Sequence, residues 1–223
     1  MRMPQFWAVV RISLVDHDRD EAEFNRWYDG VHVPEFVAQP GISHGWRTAK
    51  VEHEHELGDI DEQFAAVYEL DTIPSFEAAL DASPTAGHSW FAWEGRVEKW
   101  KRTFFRVRAT HENDPDRGEF WAIVRANYAG DREEEFNRWY DEEHMPGVAS
   151  NPGFHRAWRL EHEPSESQIG PARHRYWAVY EIDDPQDLVE ALRGKAAWGG
   201  QWQDDVADWT RTYHRLLLEL AEG

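Results

Sequence analysis

The chain has 223 residues, of which 41% are hydrophobic and 30% charged, a balance typical of a globular protein with one large domain or two small ones. A formal net charge of −19 disfavours binding to the phosphates of nucleic acids or to anionic membranes. Cysteine is absent, which excludes disulfides, thiolate nucleophiles and cysteine metal sites.

Two features favour a cytoplasmic location. The lack of cysteine suits a reducing compartment. The segment after Met1 has neither the apolar stretch nor the cleavage pattern of a signal peptide, and no apolar run approaches the length of a membrane span. We therefore expect neither a membrane nor a nucleic acid as a partner.

The first strand is predicted from Phe6 to Leu14, where β-branched and aromatic residues dominate. It carries Arg11, which a similar strand later in the chain repeats as Arg125. Each arginine is either an ion-pair partner of a neighbouring strand, through Glu69 and Glu181, or an anchor for an anionic group of a ligand.

The most specific pattern is a segment that occurs twice, at 23–34 and at 135–146. Both copies contain Phe-Asn-Arg-Trp-Tyr-Asp, then a histidine at the same spacing, and then a proline two residues after the histidine. Such a long match indicates a duplicated supersecondary unit. We therefore expect the chemistry of this protein to lie here.

The spacing of apolar residues within these segments is that of an amphipathic helix. It predicts helices from about Asp20 to about His32 and from about Asp131 to about His144. The proline after each histidine is predicted at or near the helix end, because proline lacks the N–H of a helical hydrogen bond and clashes with the preceding turn.

The remaining elements also occur twice, so that each half has the order βαββαβ. In the ferredoxin-like arrangement of such a unit, both helices cover one face of an antiparallel sheet. The other faces of the two sheets are expected to pack against each other. The predicted units are residues 1–111 and 119–223, joined by a polar linker at 112–118. The last strands are predicted from Trp100 to Arg106 and from Trp209 to Arg215.

The motif Phe-Asn-x-Trp-Tyr-Asp-x-x-His-x-Pro in a duplicated βαββαβ chain resembles the EthD-like branch of the dimeric α/β-barrel superfamily. The resemblance implies an α+β fold in which two ferredoxin-like units form an internal pseudo-dimeric barrel. We therefore expect a monomer, with further self-association left open. Members of the superfamily include cyclases, isomerases, dehydratases, decarboxylases, cofactor-free monooxygenases and haem enzymes, so the motif indicates a fold better than a reaction.

On the first predicted helix, His32 lies four residues after Tyr28 and three after Asp29, so the three side chains share a surface. They offer a base, a carboxylate to orient it and a phenol that can donate to a developing oxyanion. His144, Tyr140 and Asp141 form the same set. Alternatively, each histidine only caps the end of its helix.

The 13 tryptophans suggest an aromatic-walled pocket around these groups. No nucleotide-binding motif is present. His53 and His55 share a face of a predicted strand, but no third residue at metal-ligand spacing accompanies them. We expect no metal and no cofactor, with haem left open by the resemblance. The residues expected to contact the substrate are Asn25, Asn137, Trp27, Trp139, Trp46, Trp158, Tyr68, Tyr180, Arg11 and Arg125.

The leading functional hypothesis is a cofactor-independent acid–base enzyme, a lyase or isomerase of the cyclase, dehydratase or decarboxylase type. Its substrate would be a small apolar, aromatic or polyketide-like carbonyl compound. One alternative is a monooxygenase, cofactor-free or haem-dependent, and another is a non-catalytic binding protein for a hydrophobic metabolite. The glutamates before His144 favour an acid role for it, so His32 is expected to be the more important base.

Overall fold

In the computed structural model, which describes residues 6–58, 62–83, 92–114, 116–193 and 201–221, helices lie outside a ring of antiparallel strands. The strands are β1 Phe6–Leu14, β2 Ile42–Val51, β3 Phe64–Leu70, β4 Val97–Glu112, β5 Phe120–Tyr128, β6 Phe154–His162, β7 Tyr176–Ile182 and β8 Val206–Ala221. The helices are α1 His17–Trp27, α2 Val33–Val37, α3 Ile73–Ala82, α4 Glu133–Trp139, α5 Met145–Ala149 and α6 Pro185–Arg193.

The strands form a closed barrel in the order β1-β3-β2-β8-β5-β7-β6-β4. Each half supplies four neighbouring strands in the ferredoxin-like order, last-first-third-second, so the predicted α+β fold of two βαββαβ units is confirmed. The prediction of two separate sheets was wrong. The halves join edge to edge, where β4 pairs with β6 and β8 pairs with β2.

The last strand of each half is much longer than predicted, at 16 residues for both β4 and β8. Arg106 and Arg215, where the predicted strands end, pair with Phe6 and Phe120 at the start of their own half's first strand. Beyond these arginines, each strand continues along the second strand of the other half. The extension depends on partners distant in sequence, which a local pattern does not reveal.

The first helical segment of each half also differs from the prediction, since it does not end at the repeated His-x-Pro motif but continues through it. A π-helical turn follows α1 at Tyr28–His32 and leads directly into α2, and a second one follows α4 at Tyr140–His144. The Val33 N–H bonds to the Tyr28 carbonyl, five residues back. This wide turn accommodates Pro34, whose ring would clash with the carbonyl four residues back in an α-helix.

Alternation of side chains along the strands separates two kinds of core. The outer face packs against the helices in two apolar clusters, one for each half. The inside of the barrel holds four tryptophans in mutual contact, with ring centroids 5.3–6.0 Å apart: Trp7, Trp46, Trp121 and Trp158. Among the described residues, no helix has an apolar stretch long enough to cross a membrane.

The contact between α2 and β2 gives a test of this packing. A Cβ added at Gly45 would lie 2.6 Å from a methyl of Val37, whereas one added at Gly30, in the first π turn, would meet nothing within 4 Å. The second copy has Ala157 and Ala149 at the positions of Gly45 and Val37. We expect Gly45→Ala to destabilise the fold by about 1–3 kcal/mol and Gly30→Ala to stabilise it by roughly 0.5–1 kcal/mol.

Urea unfolding of the single and double variants would measure these effects. If Val37 is the obstacle, Val37→Ala should offset part of the cost of Gly45→Ala, so that the double-mutant cycle shows a favourable coupling. Additive effects in the cycle would contradict the proposed contact.

Candidate functional site

A small cavity lies between the helices of the first half and the outer face of the sheet. Its volume is about 50 Å3, and it is lined by side chains from α1–α2, α3, β1, β3 and β4. Aromatic and aliphatic groups form most of the wall, and His32, Tyr28, Tyr68 and Arg102 are the polar side chains among the lining residues. The others are Val10, Phe36, Phe76, Leu80 and Trp100.

His32 is the titratable group at the centre of this site. The side chain stacks on Trp27 with ring centroids 5.0 Å apart and meets the edge of Tyr28 at 4.7 Å. Burial lowers its pKa to about 4, and the nearby carboxylate of Glu35 only partly offsets this effect. The imidazole is therefore neutral at pH 7, and the same burial makes it a weak base while the cavity is empty.

Two phenols lie beside the imidazole. Burial raises the pKa of Tyr28 to about 12, and burial together with the neighbouring Tyr28 raises the pKa of Tyr68 well above its usual value. Both phenols are consequently protonated at neutral pH. Their hydroxyls also interact with each other, so one hydroxyl of the pair is left to donate to an oxygen that becomes negative in the cavity.

The carboxylate predicted to orient His32 has another partner. Arg47, on β2, is 0% exposed and donates to Asp29 and to the side-chain oxygen of Asn25, both at 3.0 Å. Its guanidinium also lies 4.2 Å from the ring centroid of Tyr28. Asp29 and Asn25 thus hold α1 against the sheet, and a direct role for them in catalysis stays a prediction.

The second half repeats the arrangement with different partners. His144 stacks on Trp139 and meets Tyr140 edge-on, with ring centroids 4.8 and 4.7 Å apart. Asp141, however, binds Arg108 at 3.0 Å, while Arg159, the counterpart of Arg47, lies 3.8 Å away.

Asn137 has also changed partner relative to its first-half counterpart. Its amide donates to the Tyr176 hydroxyl at 3.0 Å, whereas Asn25 accepts from Arg47. Tyr180 is fully buried beside Tyr140, as Tyr68 is beside Tyr28. The two copies are therefore related in fold but no longer equivalent in their polar contacts.

Four of the expected substrate-contacting residues do not join the histidines. Trp46 and Trp158 belong to the tryptophan cluster inside the barrel, on the other face of the sheet. Arg11 and Arg125 also point inward, near Trp177.

Of the two alternatives for these arginines, the ion pairs of Arg11 with Glu69 and of Arg125 with Glu181 are not formed. Arg11 is opposite Ala65 on β3. Glu69 is opposite Trp7, which precedes Arg11 by four residues on β1. On β5 and β7, the same offset of four residues separates Arg125 from Glu181, because Arg125 is opposite Trp177. At this distance along a strand, the charges are too far apart to pair.

Sequence reasoning missed Trp100, Arg102, Phe76 and Leu80 as parts of the site. The first two come from β4, and the pattern Trp-x-Arg recurs on β8 as Trp209 and Arg211, which is a signal that could have been used. Arg102 donates to the Ser167 carbonyl at 2.7 Å, which holds its guanidinium at the cavity wall. It places a positive charge on the wall of the same cavity as His32.

The His32 cavity does not fit a haem. Pockets for ligands of that size have volumes of roughly 300 Å3 or more, whereas this one has about 50 Å3. His53 and His55 lie with ring centroids 5.6 Å apart. Among the described residues, no group of three or more potential ligands is arranged to hold a metal ion.

Comparison with known proteins shows the fold. No protein-family model matches the chain, and no curated protein matches it. Among solved structures, an anthrone oxidase-like protein matches with a TM-score of 0.70 at 10% identity, over 100% of this chain and 95% of its own. A proposed monooxygenase from Lactobacillus acidophilus NCFM matches with a TM-score of 0.66 at 10% identity, over 99% and 98%.

A third match is a proposed chlorite dismutase, with a TM-score of 0.61 at 13% identity, over 95% of this chain and 94% of the other. All three cover nearly the whole chain, so the duplicated barrel is a known architecture. At these identities the likeness concerns the fold, and the chemistry has to be argued from the site.

The buried imidazole predicts a pH-dependent stability. An unfolded chain protonates histidine near pH 6.5, whereas folded His32 does so near pH 4. Between these values the unfolded state binds more protons, so stability falls as the pH falls. The full contribution is about 3 kcal/mol.

Urea unfolding from pH 7 to pH 4 would test this effect in the wild type and in His32→Phe, which keeps an aromatic ring beside Trp27. The variant should lose less stability over the range. Parallel curves for the two proteins would show that His32 does not titrate as expected.

Proposed function

We propose that this protein is an enzyme that oxidises a small aromatic or polyketide-like carbonyl compound with dioxygen, using His32 as the base. The observation that supports it most is the neutral, buried imidazole in an aromatic-walled cavity. A substrate with a CH2 made acidic by conjugation to a carbonyl, as in anthrone, would lose a proton to His32. One hydroxyl of the Tyr28–Tyr68 pair would donate to the enolate oxygen, and Arg102 on the cavity wall would favour the negative charge.

The proposed reaction balances without an added cofactor. Deprotonation of a CH2 group gives an enolate, which dioxygen attacks at carbon to form a hydroperoxide. Loss of water from the hydroperoxide converts the original CH2 into a carbonyl, so one dioxygen is consumed and one water is released. A base that is weak in the empty cavity becomes stronger beside this enolate, because an adjacent negative charge raises the pKa of an imidazole.

The solved structures favour this reading over the lyase or isomerase expected from the sequence. The similar proteins include an anthrone oxidase-like protein and proposed monooxygenases, and the expected cyclase, dehydratase or isomerase activity has no such support. The repeated His-x-Pro motif supports placing the chain in the EthD-like branch of the superfamily as part of the proposal.

We also propose that the protein functions as a monomer. Pairing of β4 with β6 and of β2 with β8 already joins the outer strands of the two halves. A second copy is therefore not needed to satisfy these strand edges.

Substitution of the two histidines tests the proposal. With anthrone as the substrate and an oxygen electrode as the detector, we expect one dioxygen consumed for each anthraquinone formed. His32→Gln should lower kcat by about 10²- to 10⁴-fold, the usual contribution of a general base. His144→Gln, the matched change in the other copy, should retain most of the activity.

Three outcomes would contradict the assignment. Full activity in His32→Gln would remove the proposed base, and a larger loss in His144→Gln would move the active site to the second half. Tight binding of anthrone without oxygen uptake would favour the binding-protein alternative.

The small volume of the cavity also predicts that kcat/KM depends on the size of the substrate. At about 50 Å3 the cavity is too small for anthrone as it stands, so the proposed function requires a wall of the cavity to move when the substrate binds. Trp100 is 39% exposed and lines the cavity, so movement of its side chain would open the site. Trp100→Ala should raise kcat/KM for anthrone relative to a smaller, two-ring ketone such as 2-indanone. Trp209→Ala, at the matched position of β8, should leave that ratio unchanged. An equal response of both variants would argue against entry beside Trp100.

A further inference from the structure

A larger cavity opens at one mouth of the barrel, on the face of the sheet away from His32. Its volume is about 480 Å3, within the usual range for ligand sites. β1 and β4 form one side, and residues 171–174 with the start of β7 form the other, so both halves of the chain contribute. Its inner wall is aromatic, since Phe105 and Trp177 lie with ring centroids 4.5 Å apart.

Among the described residues, the charged side chains that line this mouth are mostly cationic. They are Arg11, Lys99, Lys101 and Arg173, with Glu62 as the carboxylate. Lys101 contacts Glu62 at 2.6 Å, and Arg11 lies 3.8 Å from it. In a chain with a net charge of −19, this local excess of positive charge favours an anionic ligand.

Apart from the ion-paired Arg11 and Glu62, three buried polar atoms line the mouth without a hydrogen-bond partner in the part of the chain that the structure describes. They belong to Thr103, which is 0% exposed, His174, which is 2% exposed, and Trp177, which is 5% exposed. The atoms are Thr103 Oγ1, His174 Nε2 and Trp177 Nε1. Buried polar groups are normally satisfied, so these atoms are available to a ligand or to water.

The backbone at Lys99 is in the left-handed region, with a φ of 51°, although lysine rarely adopts it. The register of β4 against β1 shifts at this point, between the pairs formed by Arg11 and Ser13. The second copy repeats the conformation at Asp208, with a φ of 52°. The left-handed backbone conformation is therefore common to both copies, whereas only the first copy has a positive charge at this position.

We propose that the barrel mouth binds a small aromatic carboxylate. Lys99 and Lys101 attract the carboxylate, Thr103 Oγ1 donates a hydrogen bond to it, and the ring packs against Phe105 and Trp177. A planar ring suits this wall, because aromatic groups pack favourably edge to face or offset. The site does not depend on the proposed oxidation, since Lys101 and Thr103 face inward while Arg102 between them faces the His32 cavity.

Isothermal titration calorimetry with benzoate tests the proposal. We expect one benzoate bound for each chain, with weaker binding of cyclohexanecarboxylate, which has the same charge but no aromatic ring, and of inorganic phosphate. Equal or tighter binding of phosphate, or no heat with millimolar benzoate, would overturn the assignment to an aromatic carboxylate.

Substitutions locate the site. Lys101→Gln should weaken benzoate binding by about tenfold or more, as expected for loss of a charged hydrogen bond. Lys99→Gln, at an exposed position where folding is not at risk, should also weaken it, and Thr103→Val should cost several-fold by removing only the hydroxyl.

Arg106→Gln is the matched control, because it removes a positive charge from the same strand at an exposed position paired with Glu163. It should leave benzoate affinity unchanged. If Arg106→Gln weakens binding as much as Lys99→Gln does, the effect is one of overall charge and the proposed site is wrong. His32→Gln should also leave benzoate binding intact, which separates this site from the one proposed for oxidation.

Discussion

A guanidinium ion buried between the first helix and the sheet has to find its hydrogen-bond partners there, and this constraint organises the first half. Arg47 is 0% exposed, and an uncompensated charge at such a position costs several kcal/mol. Its partners Asp29 and Asn25 lie one turn apart on the same side of the helix. The helix can provide these partners for Arg47 only when this side faces the sheet. The same orientation places Tyr28 and His32 at the cavity wall.

The second half shows what happens when another cation competes for the same carboxylate. Arg108, on the extended part of β4, binds both Asp141 and Glu161. Arg159 is 1% exposed and lies farther from Asp141, and it makes contacts with the rings of Tyr140 and Tyr176 and with the Trp177 carbonyl. The strand that closes the barrel therefore also alters the polar contacts of the second site. The two copies therefore share the fold but differ in their polar contacts.

One sheet serves two different environments because strand side chains alternate between its faces. Val10 faces the small apolar cavity beside His32, and Arg11, the next residue, faces the cationic mouth of the barrel. Arg102 and Lys101 alternate in the same way on β4. A shift of one residue in either strand would exchange the two linings, so the strand register is a requirement of both sites.

The sequence by itself determined the order of the elements, because period-two and helical patterns and a repeat are local properties of the chain. It also placed Tyr28 and His32 together, since residues four apart meet on a helix even where a wider turn replaces the regular one. Pro34 indicated a disturbance of the helix, although the outcome was a π turn and not the expected end.

Only the tertiary structure decided which charges pair and how the sheet closes. Asp29 was close enough to His32 in sequence to suggest an orienting role, but the partner seen is Arg47, from a strand beyond the helix. β4 and β8 extend because each finds a second neighbour in the other half, and that extension brings Arg108 to Asp141. These outcomes depend on distances between segments far apart in the chain, where the cost of burying each charge selects its partner.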